Sequence, residues 1–380
     1  MRYFLLLLTL GLLGQDARQA NYDESKVPKY KLPEAGPWTS ARRAEVLALF
    51  AKEMYGRSPA KPARISHEML DTSRDALGGM AIRKQLRITI PGPKGRKSIE
   101  LLMYLPKKAN GRVPVFLGMN FGGNQVVHAD PAIRETKEWT RGSTKPERAS
   151  SAQRWEVEYA VSRGYGTATF YYGDADPDFD DGYENGFHAL YDKPLSDEWG
   201  AIGAWAWGLS RALDYLEKDP AVDAKRVIVH GHSRLGKAAL WAGAQDERFA
   251  LVISNDSGEG GAALMRREFG ERVAQINKSF PHWFAANFKK YGWKEQELPF
   301  DSHLLLALIA PRPLYVASAS DDWWADPIGE RLALEAAGEV YRQLGAKDRT
   351  GYHLRPGGHD ILKYDWERFI DFADVQLKPK

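Results

Sequence analysis

Residues 227–256 read VIVHGHSRLGKAALWAGAQDERFALVISN followed by Asp256, and they hold a serine between two glycines. The serine falls where a β-branched run gives way to a helical pattern, with the spacing Gly231-x-Ser233-x-x-Gly236. Glycines on either side of such a turn permit a bend tight enough to project a serine hydroxyl past the end of a strand. The helix that follows aims its amino terminus at negative charge developing beside that hydroxyl. The chemistry suggested is nucleophilic attack on a carbonyl. A coincidental tight turn is the plainer reading, and the second glycine sits one residue later than in the usual G-x-S-x-G pattern. The β-branched strand before the serine and the Ala-rich helix after it favour the chemical reading.

A serine hydroxyl is protonated at neutral pH and needs a base. Of nine histidines, only His353 and His359 lie near the carboxyl end. His359, in RPGGHDI, follows a strand and a Gly-Gly loop that can carry it over a sheet edge, which makes it the expected base. His353 lies within the strand itself and reads as a core or surface residue. His230 and His232 have the H-x-H spacing of a metal pair, but no third ligand is close in sequence, so no metal is expected.

A carboxylate must fix the tautomer of the base and stabilise the imidazolium. Asp256 ends the strand-like FALVISND, and Asp321, Asp322 and Asp326 follow the strand-like PLYVASAS. Either group can reach His359 from neighbouring strand ends, while an aspartate that merely caps a loop is the duller alternative. Arg234 is out of place at a first helical turn, where the helix dipole disfavours cations. It reads either as an anion-stabilising group or as the partner of a nearby carboxylate.

The elements that must position these residues follow from periodicity. ARISHEML, AIRKQLRITIPGP and KSIELLMYLPKK alternate with period two and read as antiparallel strands. From residue 113 onward, short apolar runs (VPVFLGMNF, YGTATFYYGD, RVIVHGH, FALVISND, PLYVASAS, YHLRPGG) alternate with helical patterns. That grammar implies a mostly parallel sheet covered on both faces. The helical patterns are SARRAEVLALFAKEMYG with Ser40 as its cap, ERASSAQRWEVEYAVSRG, EWGAIGAWAWGLSRALDYLEKD, RLGKAALWAGAQDE and DPIGERLALEAAGEVYRQLG. No repeat or linker divides them, so residues 21–380 read as one α/β domain.

Composition narrows the function classes. The 380 residues carry 53 basic and 50 acidic side chains, a net charge of +3, with no basic block that would suit nucleic acid. There is no cysteine, which excludes disulfides and thiolate chemistry. Residues 1–20, MRYFLLLLTLGLLGQDARQA, have an early cation, a short apolar run and then small and polar residues, the layout of a secretory signal. An exported protein, periplasmic or secreted, is expected, with no membrane partner once the signal is removed. A buried amino-terminal helix is the plain alternative.

At GHSRLGKAALWAGA, SNDSGEGGAAL, INKSFPHWF, DDWWADPIGE and PGGHD the chain resembles the glucuronoyl esterases, carbohydrate esterase family 15, in their bacterial form. The resemblance runs from about residue 30 to the end, and an ordinary lipase shares only the serine turn. It implies an α/β-hydrolase three-layer αβα sandwich with antiparallel amino-terminal strands and a Ser-His-carboxylate triad in an open cleft. It also implies cleavage of esters between (4-O-methyl-)glucuronic acid of glucuronoxylan and alcohols of lignin, without metal or cofactor.

By that resemblance Ser233 is the nucleophile and His359 the base. Asp256 stands at the place of the family's unusual acid, where glutamate is frequent, and Asp322 matches the acid that some bacterial relatives carry after the late strand. Asp256 ranks slightly ahead of Asp322, with a joint contribution of the two as the alternative. Arg234 would serve the oxyanion hole, while Lys237, Glu271 and Trp324 match residues that contact the uronate ring. Taken singly, these last three read as a solvated helix lysine, a solvent-facing loop glutamate and a packing tryptophan. The rival readings are an acetyl-xylan or other small-acyl esterase of the same fold, and a non-catalytic carbohydrate-binding protein.

Overall fold

Nine strands, β1 (Ser66–Asp75), β2 (Ala81–Gly92), β3 (Gly95–Pro106), β4 (Val113–Asn120), β5 (Gly166–Tyr171), β6 (Val222–His232), β7 (Leu251–Asn255), β8 (Leu314–Ala319) and β9 (Thr350–Arg355), share one sheet. Their order is β1-β2-β3-β5-β4-β6-β7-β8-β9. The structure is a computed structural model that describes residues 20–142 and 144–377. β1, β2 and β3 form an antiparallel meander that joins the sheet where β3 runs antiparallel to β5. β4 to β9 are mutually parallel.

The apolar runs of the parallel strands reflect burial on both faces. In β6, Val227 and Val229 enter one core cluster and Ile228 the other, as the two-residue period of a strand requires. The first cluster joins the helices Ala201–Leu216, Arg234–Gln245, Ser302–Ala307 and Pro327–Gln343; the second joins Val157–Ser162 and Lys363–Leu377. The result is a three-layer αβα sandwich with antiparallel strands at its amino-terminal edge, the expected fold class.

Local departures have identifiable causes. Thr39, not Ser40, caps the first helix: its Oγ1 accepts from Arg42 N–H at 3.2 Å, and Ser40 is already helical. The long helical pattern at residues 147–164 forms only a short turn, Ala152–Arg154, and the helix Val157–Ser162, because Glu156 takes a left-handed conformation with φ 38° between them. The helix Lys363–Leu377 was absent from the sequence reading, although Trp366, Phe369, Ile370 and Ala373 bury one stripe at helical spacing. The segment 1–20 read as a secretory signal lies outside the described residues except for Ala20. Among the described residues no helix is long and apolar enough to cross a membrane.

Candidate active site

Parallel strands bring their carboxyl ends to one rim, and the loops there carry the side chains that matter. On that rim lies a cavity of about 320 Å³ lined by Ser233, Arg234, Lys237, Asp256, Glu271, Asp322, Trp324 and His359. The eight residues given a role by the family resemblance therefore line one space, with Phe280 and Trp283 added to its wall, while Asp321 and Asp326 do not line it.

Ser233 stands at the turn between β6 and the helix Arg234–Gln245, with φ 58° and ψ −131°. A non-glycine residue held there stores roughly 1–3 kcal/mol of backbone strain. The surroundings over-determine it: Ser233 N–H donates to Asn255 C=O at 2.9 Å, and its own C=O accepts from Gly236 and Lys237 N–H. Gly231 is obligatory, since a Cβ there would stand 2.0 Å from the Leu235 carbonyl oxygen. No side chain caps the helix, so its first N–H groups have no side-chain partner beside the serine turn.

His359 follows β9, in a loop zipped to the loop after β8. Ser320 N–H donates to Arg355 C=O at 2.8 Å, and Asp321 N–H to Gly357 C=O at 2.9 Å. The zip sets His359 Nδ1 2.6 Å from Asp322 Oδ2. Asp322 is nearly buried and the imidazole half-exposed, so the carboxylate is fixed while the ring faces the cavity.

The ranking of Asp256 ahead of Asp322 does not match this geometry. Asp256 Oδ1 accepts from Ala319 N–H at 2.8 Å and Oδ2 faces Arg355 Nη2 at 3.4 Å, so its carboxylate turns toward the sheet. It remains near: one ligand atom each from Asp256, Asp322 and His359 lie within 4.8 Å of one another. Burial, together with the carboxylates of Glu330 and Asp322, pushes Asp256 up to about 9. Of the other late aspartates, Asp321 accepts from Ser320 Oγ, while Asp326 caps the helix Pro327–Gln343 and pairs with Arg267.

Arg234 both lines the cavity and pairs with a carboxylate, so the two readings of its sequence position hold together. Its Nη1 donates to Asp178, whose Oδ1 accepts from Trp283 Nε1 at 2.7 Å and lies 3.1 Å from His282 Nε2. Burial alone would raise the Asp178 carboxyl, but the His282 hydrogen bond, the Arg234 charge and the Trp283 N–H hold it well below the usual carboxylate range. The guanidinium also lies over the Trp283 and Phe280 rings, 4.8 and 5.2 Å from their centroids.

Lys237 and Glu271 depart from their duller sequence readings, since both are buried. Lys237 Nζ donates to Ser257 C=O at 2.5 Å. Burial pulls the ammonium below the usual lysine range and Glu271 opposes it; burial raises the Glu271 carboxyl to about 7 against the Lys237 and Arg234 charges. Trp324 is partly exposed at the mouth, and its C=O accepts from Glu271 N–H at 3.0 Å. A buried cation and carboxyl beside a solvent-edged tryptophan form a polar wall suited to hydroxyl groups.

Three contributors escaped the sequence reading. Asp178 is one of several acids in DADPDFDD and has no local signal. Arg355 donates to Asp365 at 2.9 Å and to Gly358 C=O at 2.9 Å, holding the His359 loop; its place at the end of β9, just before Pro356, carried no local signal. Glu330 accepts from Ser318 Oγ at 2.6 Å and Gly258 N–H at 2.9 Å beneath the cavity floor. His230 is packed against Trp155 and Trp366 and burial lowers it to about 3, while His232 Nδ1 meets Asn255 Oδ1 at 2.6 Å, so each has a packing role. His353, read as core or surface, is buried and bonded to Asp365 and Tyr315.

The sheet order, with a strained serine at the turn after β6 inside the parallel part of the sheet, defines the class: this is an α/β-hydrolase. The family model described as glucuronyl esterase of fungi matches residues 148–345. Carbohydrate esterase MZ0003, from an unknown prokaryotic organism, is 48% identical over 95% of this chain and 93% of its own length. A solved glucuronoyl esterase from Solibacter usitatus shares 45% identity and a TM-score of 0.88, covering 94% of this chain and 100% of that one. A Sporotrichum thermophile glucuronoyl esterase solved with methyl 4-O-methyl-β-D-glucopyranuronate is 25% identical with a TM-score of 0.67, over 91% of this chain and 87% of that one. The chain belongs to the glucuronoyl esterases of carbohydrate esterase family 15 and is a carboxylic ester hydrolase.

Proposed function

We propose that the chain hydrolyses the ester between (4-O-methyl-)glucuronic acid of glucuronoxylan and an alcohol, including those of lignin. His359 Nε2 takes the Ser233 hydroxyl proton as Oγ attacks the uronate carbonyl, and Asp322 holds the opposite ring nitrogen and stabilises the imidazolium. The oxyanion forms against the first N–H groups of the helix Arg234–Gln245 and the Arg234 guanidinium, which Asp178 orients. Those donors act on charge that exists in the tetrahedral intermediate and not in the neutral ester. His359 then protonates the departing alcohol, and water activated by the same ring releases glucuronate from Ser233. Lys237, Glu271 and Trp324 bind the hydroxyl groups of the uronate.

The observation that supports this reading best is the 2.6 Å contact of His359 Nδ1 with Asp322 in the cavity that also holds Ser233 and the buried Lys237. The apolar run at residues 3–13 supports export to the periplasm or beyond. Benzyl glucuronate and an aryl acetate, each offered to wild type and to Ser233→Ala, test the proposal. Faster turnover of the glucuronate by wild type, abolished in Ser233→Ala, is expected. Faster acetate turnover would make it a small-acyl esterase, and activity surviving Ser233→Ala would overturn the mechanism.

A further inference from the structure

The rim continues past the catalytic cavity. Because β3 runs antiparallel to β5, the start of β3 lies at the carboxyl end of β5, on the same side of the sheet as Ser233. A second cavity opens there, with a volume of about 420 Å³, within the range of small-ligand sites. Arg96 and Lys97 from β3 and Lys137 from the loop after β4 line it. Arg87 and Arg134 also line it, but both are held by Glu100, and Glu135 is held by Arg148. No described carboxylate forms an ion pair with Arg96, Lys97 or Lys137, while among the described lining residues Glu138 is an exposed acid without an ion-pair partner. Asp174 sits deeper; burial raises it to about 8, so at neutral pH it adds no full negative charge. The cavity thus presents more free positive than negative charge although its wall contains both.

Two stretches connect it to the catalytic cavity. In the first, Asp174 and Pro177 line the second cavity, and the next residue, Asp178, anchors Arg234 in the first. In the second, Lys137 lines the second cavity, and Arg141 lies 3.9 Å from Asp178 and 5.8 Å from the Phe280 ring centroid. Trp139 lies on the second of these stretches and Phe179 follows Asp178 on the first, ring centroids 5.1 Å apart, with Phe179 exposed. The exposed Phe179 ring, backed by Trp139, offers an apolar face to the C–H surface of a sugar.

We propose that the second cavity is a carboxylate subsite that takes a free uronate of an acidic oligosaccharide whose esterified uronate occupies the catalytic cavity. The proposal rests on the function above, and it assigns the enzyme a preference for chains that carry more than one uronate. Exposed charge contacts contribute roughly 1.5- to 5-fold each, so the three cations together contribute about tenfold to affinity. That contribution falls with salt.

The test uses the variant Arg96→Gln/Lys97→Gln/Lys137→Gln, whose exposed and half-exposed side chains leave the core intact. On benzyl glucuronate, kcat/KM is expected to stay within about twofold of wild type. On a glucuronate ester borne by a xylo-oligosaccharide with a second, free glucuronate, KM is expected to rise about tenfold at low salt. Calorimetric titration in the Ser233→Ala background compares that acidic oligosaccharide without its ester against an uncharged one. Tighter, salt-sensitive binding of the acidic ligand, lost when the three cations are replaced, is expected. Equal effects on both esters, or acidic and uncharged ligands bound alike, would overturn the subsite. Absence of turnover of either ester by wild type would instead overturn the proposed function, and the titration would still decide whether the second cavity binds uronate.

Discussion

Replacing Asp322 by asparagine keeps the size of the side chain and removes the charge facing His359. The bond in question is 2.6 Å long and joins a buried carboxylate to a ring that faces the catalytic cavity. When the ring takes the serine proton, imidazolium and carboxylate become opposite charges roughly 4 Å apart between centres, an attraction of about 4 kcal/mol at an effective dielectric near 20. At about 1.4 kcal/mol per tenfold, that is roughly a thousandfold in kcat. The asparagine amide also donates toward Nδ1, which favours the tautomer with its proton on Nε2, where the serine proton must go. The expected loss in kcat is therefore about 10³- to 10⁴-fold, with KM little changed.

Asp256→Asn is the contrasting perturbation. Its carboxyl faces Ala319 N–H and Arg355 and not the imidazole, burial with the neighbouring acids pushes it up to about 9, and an amide oxygen can keep the 2.8 Å bond from Ala319 N–H. Its loss in kcat is expected to stay below about tenfold. The assay is kcat on benzyl glucuronate at pH 7 for both variants, with thermal melts to confirm folding. Comparable losses in the two variants, or an Asp322→Asn enzyme within tenfold of wild type, would refute the argument that contact with Nδ1 selects the acid.

Glu330 is raised by burial from 4.5 to about 7, so it holds its proton in the folded chain after losing it in the unfolded one. Stability from this group is complete below pH 4.5 and is lost as pH rises through 7; Glu330→Gln should remove up to about 3 kcal/mol of that decline, visible as a flatter Tm profile between pH 5 and 8. An unchanged slope would count against it. Glu271, also raised to about 7, should accept sugar hydroxyls best when ionised, so KM for the glucuronate ester should fall from pH 6 to 8 in wild type and stay level in Glu271→Gln. A pH-dependent KM retained in the variant would place the titrating group elsewhere. Gly231→Ala forces a Cβ to within 2.0 Å of the Leu235 carbonyl oxygen, and should cost about 1–3 kcal/mol or more, read as a lower Tm together with lost activity. A variant as stable and active as wild type would show that the serine turn can relax.

Much was legible in the sequence because local rules write it there. β-branched runs between helical patterns specify strands buried on both faces, and Gly231 ahead of Ser233 marks a backbone bend that side chains with a Cβ cannot enter. Order along the chain then left His359 as the one late histidine on a glycine loop. The helix Lys363–Leu377 was legible too, in the spacing of Trp366, Phe369, Ile370 and Ala373, and was missed.

The choice between Asp256 and Asp322 was not written locally, since both end parallel strands beside the same rim. It was decided by the backbone zip between residues 320–321 and 355–357, which turns one carboxylate to the imidazole while Ala319 N–H and Arg355 hold the other toward the sheet. The pairing of Arg234 with Asp178, and the burial of Lys237 and Glu271, likewise depend on which loops converge on the rim. Such convergence is a long-range property. Chain spacing sets which residues can reach the rim, and only the packed sheet sets which of them meet there.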